Sequence, residues 1–211
     1  MEIIKRKDWA NVFLEISALL ISHKDMLTEI DAKFGDGDHG VTMEKIAHTL
    51  TEQANEWEQG SDDLKTLFQS IGNAVTNVNG GSAGPLYGTY FGGLGETLND
   101  GVVEVNAPLL KEILKSGLDE LQYLSKAKIG DKTMMDTLIP ATEAALTAPD
   151  DIFSIISAAK EAAVGGADKS KEFISKFGRA RSYKEQTLGT PDAGAQSCTY
   201  IFIGLYLALT K

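Results

Sequence analysis

The amino-acid sequence predicts an all-α protein, a bundle or closed barrel of antiparallel helices. Three observations support this. Apolar residues recur at spacings of three and four, no segment shows sustained strand alternation, and the breaks between apolar segments are short. Because the 211 residues contain no fixed repeat and no low-complexity linker, we expect residues 1–211 to form one domain.

The apolar spacing predicts each helix in turn. The first runs from Trp9 to His23, with one apolar stripe for the core. Gly60, Ser61, Asp62 and Asp63 supply a break and an N-cap between the second and third helices. The helices that follow the first are predicted at 43–57, 64–78, 86–98, 109–124, 134–146, 152–163, 173–177 and 197–209.

The composition excludes several classes of function. Thirty acidic against twenty basic residues give a net charge of -10, which disfavours nucleic acid and anionic membrane surfaces as partners. The charged first residues do not resemble a signal peptide, and the longest apolar run, 198–209, is short for a membrane span. Cys198 has no disulfide partner and is expected to be a small buried residue. We therefore expect a cytoplasmic protein.

Four connections are richer in glycine, aspartate and small hydroxyl residues than turns require: 31–40, 79–85, 129–136 and 189–195. The first places Asp31, Asp36 and Asp38 in one loop, where glycines let the carboxylates converge. Mg²⁺ favours a few carboxylates together with phosphate oxygens, so this loop predicts a metal that binds with a phosphorylated ligand. The alternative is an acidic turn that caps the next helix. His39 begins that helix, where it would contact the ligand or pack the loop.

Other known motifs do not fit the sequence, because either their spacing or their structural context is missing. Gly35, Gly37 and Gly40 match the dinucleotide-binding fingerprint, but no strand precedes them. An EF-hand counted from Asp36 would need a glutamate where Ala47 stands, and the three histidines have no zinc-site spacing. Residues 130–133 lack the glycine pattern of a P-loop.

The remaining loops supply further parts of a phosphate or nucleotide site. Residues 79–85 form either an amide cradle for phosphate or a plain tight turn. Thr133 and Asp136 are expected to cap a helix, which leaves Met134 or Met135 to cover a flat group such as a base. The arginines at 179 and 181 would bind an anion or form surface ion pairs.

The order of these motifs, Gly35 to Gly40, Gly80 to Thr89, Gly130 to Met134 and Asp192 to Ala195, resembles the nucleotide-binding (ADP/ATP) subunit of bacterial dihydroxyacetone kinase, the DhaL family. The resemblance covers essentially the whole chain. It implies a closed antiparallel barrel of about eight helices with a nucleotide site at one end, in agreement with the helices predicted above.

The resemblance also implies roles for residues. Magnesium would be held by Asp31, Asp36 and Asp38. The nucleotide would be bound by His39, Gly40, Val41, Thr42, Ser82, Ala83, Ser125, Met134, Arg179, Asp192, Ala193 and Gly194. No catalytic residue of this chain is assigned.

In the phosphotransferase-linked branch of this family, bound Mg-ADP acts as a coenzyme. A phosphohistidine donor subunit (DhaM-like) recharges it to ATP, and the γ-phosphoryl passes to dihydroxyacetone or a related short ketose on a separate, ketose-binding subunit (DhaK-like). Two alternatives stay open: a ketose kinase subunit that uses free ATP, and a nucleotide-bound regulatory subunit without turnover. A homodimer is one alternative for the oligomeric state.

The chain also departs from the family pattern. Gly81, Ser82, Ala83 and Gly84 stand where the family commonly has Gly-Ala-Ser-Gly, so either Ser82 or a neighbouring amide would meet the phosphate. The stretch 178–186 also differs from the usual sequence. Such differences would suit a paralogue that acts on another short ketose, for example a tetrulose.

Overall fold

The computed structural model describes residues 2–59 and 63–211. Within these ranges the chain forms nine α-helices, and the only strands are two residues long. The helices are α1 (Arg6–Ser22), α2 (Lys24–Ala32), α3 (His39–Gln59), α4 (Leu64–Thr76), α5 (Ala83–Gly93), α6 (Ala107–Leu124), α7 (Met135–Thr147), α8 (Ile152–Lys169) and α9 (Ala193–Thr210). The all-α prediction is confirmed.

The short strands and the 3-10 turns complete the described elements. β1 (Ile4–Lys5) pairs antiparallel with β2 (Glu104–Val105) ahead of α1 and α6. Two 3-10 segments, Ser170–Glu172 and Arg179–Thr187, lie between α8 and α9. The prediction of a helix at 173–177 is wrong, because Phe173 and Phe177 lie in bends and residues 174–176 have no regular secondary structure. In contrast, α2 was not predicted, since Leu27 is its single buried residue and gives no apolar stripe.

Helix packing follows the order of the chain. Apart from α2, each helix packs on the next, and α9 also packs on α1. α2 lies outside this sequence of neighbours and packs on α3 and α9. Apolar side chains from β1 through α9 form one core cluster, in which the rings of Phe13, Phe68 and Phe91 meet edge to face.

Several helix starts are fixed by side-chain caps. Asp63, Asn106 and Asp151 each accept a hydrogen bond from the third amide of α4, α6 and α8, the usual pattern of an N-cap. The Asp63 cap confirms one part of the break predicted at 60–63, while residues 60–62 lie outside the described residues. The side chains at these three helix starts all lie outside the cavity described below.

One helix in the described part of the chain, α9, is long and apolar enough for a membrane span. However, 61% of its 18-residue window is buried inside the protein, as in the core helix of a soluble protein. Its burial follows from its packing on α1, α8 and α7.

Candidate nucleotide and metal site

A cavity of about 460 Å³ opens where α3, α5, α7 and α9 begin. The first four amides of a helix have no partner within the helix, and the helix dipole is positive at this end. A cavity surrounded by four such ends is therefore suited to anionic groups. Part of its wall comes from the irregular chain between α8 and α9, through Ser175, Phe177, Gly178, Arg179, Ala180 and Pro191.

The acidic loop between α2 and α3 forms one wall of this cavity. One carboxylate oxygen each of Asp31, Asp36 and Asp38 lies within 4.8 Å of the other two. Asp31 lies in the last turn of α2, and its Oδ2 accepts from the backbone amides of Asp38 and His39 at 3.2 and 3.4 Å. The loop therefore does both things that the sequence allowed: it caps the next helix and brings three carboxylates together.

Glycines make this convergence sterically feasible. A Cβ on Gly35 would lie 2.1 Å from Oδ1 of Asp31, so only glycine lets the backbone pass behind that carboxylate. Gly37 adopts a φ of +72°, in the left-handed region that favours glycine.

The charges of the acidic loop are only partly balanced within the protein. Burial, followed by the neighbouring charges of Asp36 and Asp31, raises the pKa of Asp38 above its ordinary value. Arg179 forms an ion pair with Asp36, but most of its side chain is exposed, so solvent screens the pair. Three oxygen donors with unfavourable mutual repulsion fit a hard divalent cation such as Mg²⁺.

The glycine-rich loop before α5 forms another part of the wall. Gly81 has a φ of +56°, and a Cβ on Gly80 would lie 2.2 Å from Oγ1 of Thr42 in α3. The loop therefore approaches α3 closely. Ser82 is exposed at the start of α5, and its hydroxyl does not cap that helix.

The start of α7 is organised by a buried carboxylate. Asp136 accepts from the amides of Gly130 and Thr133 at 2.6 and 2.7 Å, and the Thr133 hydroxyl accepts from the amide of Met135. The predicted capping pair is confirmed. Burial raises the pKa of Asp136 above its ordinary value, against these backbone hydrogen bonds. Met134 lies directly before α7, is largely buried and lines the cavity.

Asp192 occupies the start of α9. Its Oδ2 accepts from the amide of Ala195 at 2.8 Å and so caps the helix. Burial raises the pKa of Asp192 to about 7, against the backbone hydrogen bond from Ala195 and the charge of Lys132. Near neutral pH this carboxyl therefore exists in both protonation states.

A buried chain of hydrogen bonds lies beneath the cavity. Nε2 of His39 is 2.8 Å from the Ser197 hydroxyl, which is 2.6 Å from the Tyr87 hydroxyl, and Cys198 donates to Tyr87. Burial lowers the pKa of His39 and raises the pKa of Cys198 to about 12. Cys198 is buried as expected, and His39 packs the loop while also lining the cavity.

The structure brings most of the predicted site residues to one place. The cavity is lined by Asp31, Asp36, Asp38, His39, Thr42, Ser82, Ala83, Met134, Arg179, Asp192, Ala193 and Gly194. The other three predicted residues, Gly40, Val41 and Ser125, lie outside the lining.

The structure shows where each of these three residues lies. Gly40 lies against α2, where a Cβ would be 2.1 Å from the Lys24 carbonyl oxygen. The side chain of Val41 is 38% exposed. Ser125 ends α6 and accepts from the amide of Ala127. Nucleotide contacts of Gly40, Val41 and Ser125 stay predictions.

Sequence reasoning missed several residues of the lining. Phe34 lies in the acidic loop, and its ring is 5.3 Å from the ring of Tyr183. Tyr87 and Lys132 also line the cavity. The aromatic residues could have been noticed beside the glycine-rich motifs, whereas the partners of Lys132 are main-chain carbonyls and leave no trace in the sequence.

Together, the fold and the site define a helical domain with an acidic, amide-rich cavity for an anionic ligand. The family described as "DAK2 domain" matches residues 33–207. The chain therefore belongs to the DAK2 domain family, and it is a kinase-type phosphotransferase component of the dihydroxyacetone kinase group.

Two similar proteins illustrate the different lengths and names found among the relatives of this chain. The chain is 33% identical to the "PEP-dependent dihydroxyacetone kinase 2, ADP-binding subunit DhaL" of Listeria innocua, over 90% of this chain and 88% of that protein. It is 32% identical to the "L-erythrulose kinase" of Pectobacterium atrosepticum, over 87% of this chain and 31% of that protein.

A solved structure shares the fold. The dihydroxyacetone kinase of C. freundii in complex with AMP-PNP and Mg²⁺ superposes with a TM-score of 0.73 at 31% identity. The match covers 94% of this chain and 33% of that one. The chain thus spans most of the Listeria subunit but about a third of the longer kinases.

Proposed function

We propose that this chain is the ADP-binding subunit of a phosphotransfer system that phosphorylates dihydroxyacetone or a related short ketose. One observation carries the proposal: three converging carboxylates and the starts of four helices surround the same cavity. Carboxylates alone would repel a diphosphate, and helix starts alone would not attract a cation. Their combination suits a metal-bound diphosphate.

The proposed division of roles follows the walls of the cavity. Asp31, Asp36 and Asp38 would hold Mg²⁺, which neutralises negative charge on phosphate oxygens when bound. The α3 start from His39 to Thr42 and the pair Ser82 and Ala83 would donate to those oxygens. The other phosphate and base contacts would come from Ser125, Met134, Arg179, Asp192, Ala193 and Gly194.

The chain would transfer phosphate by positioning and charge neutralisation rather than through a covalent intermediate of its own. Cys198 is buried with a raised pKa, and the His39 ring is hydrogen-bonded to Ser197, so neither is a free nucleophile. A phosphohistidine donor subunit would recharge bound ADP, and a ketose-binding subunit would present the acceptor hydroxyl. The name of the Listeria relative, PEP-dependent and ADP-binding, supports this assignment.

We also infer that the helices close into a barrel and that residues 1–211 form one cytoplasmic domain. The packing of α9 on α1 supports closure, because it joins the last helix to the first. The single core cluster from Ile4 to Leu209 supports one domain. The net charge of -10 gives no attraction to an anionic membrane.

Calorimetry with Mg-ADP tests the site, and mixing with the partner subunits tests the reaction. We expect binding that weakens strongly when EDTA removes divalent cations, and ketose phosphate formed from the phosphohistidine donor with ADP in catalytic amount. Equal ADP affinity after complete chelation would refute the metal role. Tight Mg-ADP binding without transfer to any ketose-binding partner would instead indicate a regulatory subunit.

Free ATP as the phosphoryl donor is the second candidate. The C. freundii kinase, whose structure contains AMP-PNP and Mg²⁺, favours it. Nucleotide exchange distinguishes the two modes. ADP that stays bound through purification supports the coenzyme mode, whereas exchange on the time scale of turnover supports use of free ATP.

A further inference from the structure

Lys132 forms an unusual contact inside the protein. Its Nζ donates to four main-chain carbonyl oxygens, those of Ser170, Phe173, Thr187 and Thr190, at 2.9, 3.1, 2.8 and 2.6 Å. The residue is 3% exposed. An ammonium has three hydrogens, so the four oxygens share them and are all satisfied by one side chain.

The backbone of Lys132 is held in an unfavourable conformation. Its φ is +59°, a left-handed value that costs a residue with a side chain about 1 kcal/mol or more. Burial also lowers the pKa of Lys132, although the nearby carboxylates of Asp192 and Asp136 act to raise it. The carbonyl contacts offset both costs, because hydrogen bonds from a charged group are stronger than neutral ones.

The four carbonyls belong to one stretch of chain, residues 170–191, which we call the 170–191 segment. It connects α8 to α9 and contributes to the cavity wall, including Arg179, which pairs with Asp36. Hydrogen bonds of the Lys132 ammonium fix both ends of the segment. A second anchor, the ion pair of Lys176 with Asp131, is 60% exposed on the lysine side.

We propose that Lys132 is a positioning residue that holds the 170–191 segment against the cavity and thereby sets how slowly the bound nucleotide leaves. The lysine does so through the segment rather than by contact with phosphate, since its ammonium is already occupied by carbonyl oxygens. This inference rests on the proposed nucleotide site. A coenzyme role for ADP requires that the nucleotide leave slowly, and the inference attributes this slow release to the buried ammonium of Lys132.

The test measures the dissociation rate of a fluorescent Mg-ADP analogue from the full chain, after mixing with excess unlabelled Mg-ADP. Lys132→Met keeps most of the side-chain volume and removes every donor. Because hydrogen bonds to a charged group are lost, we expect dissociation to accelerate about tenfold or more. Lys132→Arg, which keeps a cation with several donors, should restore part of the slow release.

A matched control is Lys176→Met, which removes the exposed anchor of the same segment. We expect its release rate to stay within about twofold of wild type, because Asp131 keeps its hydrogen bond from the Lys128 amide and the backbone amide of residue 176 still donates to the Asp131 carbonyl. Chymotrypsin should cut Lys132→Met faster after Phe177 and Tyr183, while its helical circular dichroism is unchanged. Equal acceleration in the two variants would overturn the proposal, because the carbonyl contacts would then have no special role.

If Lys132→Met loses helical signal, Lys132→Gln carries the test, because its amide keeps two hydrogen-bond donors without the charge. Its release should be about threefold faster than wild type, with the same shift in proteolysis. Unchanged release in a folded neutral variant overturns the inference but leaves the nucleotide site intact. Failure of the wild-type chain to bind Mg-ADP would refute the proposed function itself.

Discussion

The acidic loop and the surroundings of Lys132 lie on the same cavity but treat charge in opposite ways. In the acidic loop three carboxylates converge, and the pKa of Asp38 is raised by burial and by its two neighbours. Around Lys132 one buried cation is satisfied by four carbonyls and attracted by Asp192 and Asp136. The acidic loop therefore carries uncompensated negative charge, whereas the hydrogen-bond donors of Lys132 already have acceptors.

This difference suits the two regions to different roles, ligand binding in the acidic loop and support of the backbone around Lys132. Uncompensated charge in the protein is stabilised when a ligand of opposite charge binds. A region that carries such charge is therefore suited to ligand binding. A buried cation whose hydrogen-bond donors already have acceptors has no free donor for a ligand. It instead holds the backbone segments that supply those acceptors. We therefore expect substitutions in the acidic loop to act directly on ligand binding, and substitutions around Lys132 to act on stability and on the order of the 170–191 segment, and only through that segment on nucleotide release.

The largest expected effect is that of Asp38→Asn. If the three carboxylates hold Mg²⁺ as proposed, removing one of their charges should weaken Mg-dependent ADP binding by about 100-fold or more, as measured by calorimetry. The ligand-free variant should melt at a slightly higher temperature than wild type, because the raised pKa of Asp38 means that its charge opposes folding. Affinity and stability should thus move in opposite directions.

Asp100→Asn is the matched control, because Asp100 is an exposed carboxylate paired with Lys65 away from the cavity. It should leave ADP affinity unchanged and stability within about 0.5 kcal/mol. A fall in both affinity and stability for Asp38→Asn would mean that the carboxylate supports the loop and is not a ligand.

The two regions also differ in how well the sequence predicts them. The acidic loop is local: Asp31, Asp36 and Asp38 lie within eight positions, and the glycines between them indicate a bend. The Lys132 contacts join positions 38 to 58 residues apart, and their acceptors are main-chain oxygens that any residue carries. The same contacts explain why 173–177 does not form the expected helix, since Phe173 gives its carbonyl to Lys132.

The prediction of secondary structure succeeded where an apolar stripe is continuous and failed where it is weak. Eight of the nine described α-helices correspond to predicted apolar segments, with ends that shift by several residues. The missed α2 buries Leu27 alone and packs on α3 and α9, so its position depends on tertiary contacts. One of those contacts is Gly40, whose missing side chain lets α3 approach Lys24 in α2.

A pair of adjacent glycines in α8 tests the supporting role of the region around Lys132. A Cβ on Gly166 would lie 2.1 Å from the Asp136 carbonyl oxygen, whereas one on Gly165 would meet nothing within 4 Å. Gly166→Ala should lower the free energy of unfolding by about 1–3 kcal/mol, by forcing α7 and α8 apart. Gly165→Ala should raise it by about 0.5–1 kcal/mol, because alanine favours helix.

Urea unfolding of the two alanine variants measures both values. Similar changes in the two would show that the α7 and α8 contact is not tight at Asp136. ADP affinity of Gly166→Ala should change less than that of Asp38→Asn, because the acidic loop connects α2 to α3, whereas Gly166 lies in α8.

A pH-dependent effect on stability is expected at Asp192, which caps α9. Burial raises its pKa from 3.8 to about 7, so between these values the folded protein keeps a proton that the unfolded chain has released. The free energy of unfolding should therefore fall as pH rises through this window and level off above it. Asp192→Asn keeps the cap to Ala195 without a titrating group, so its stability relative to wild type should increase as pH rises from about pH 4 and level off above about pH 7. Urea unfolding across this range measures the difference, and parallel curves for the two proteins would mean that Asp192 stays ionised in the fold, with Lys132 compensating its burial.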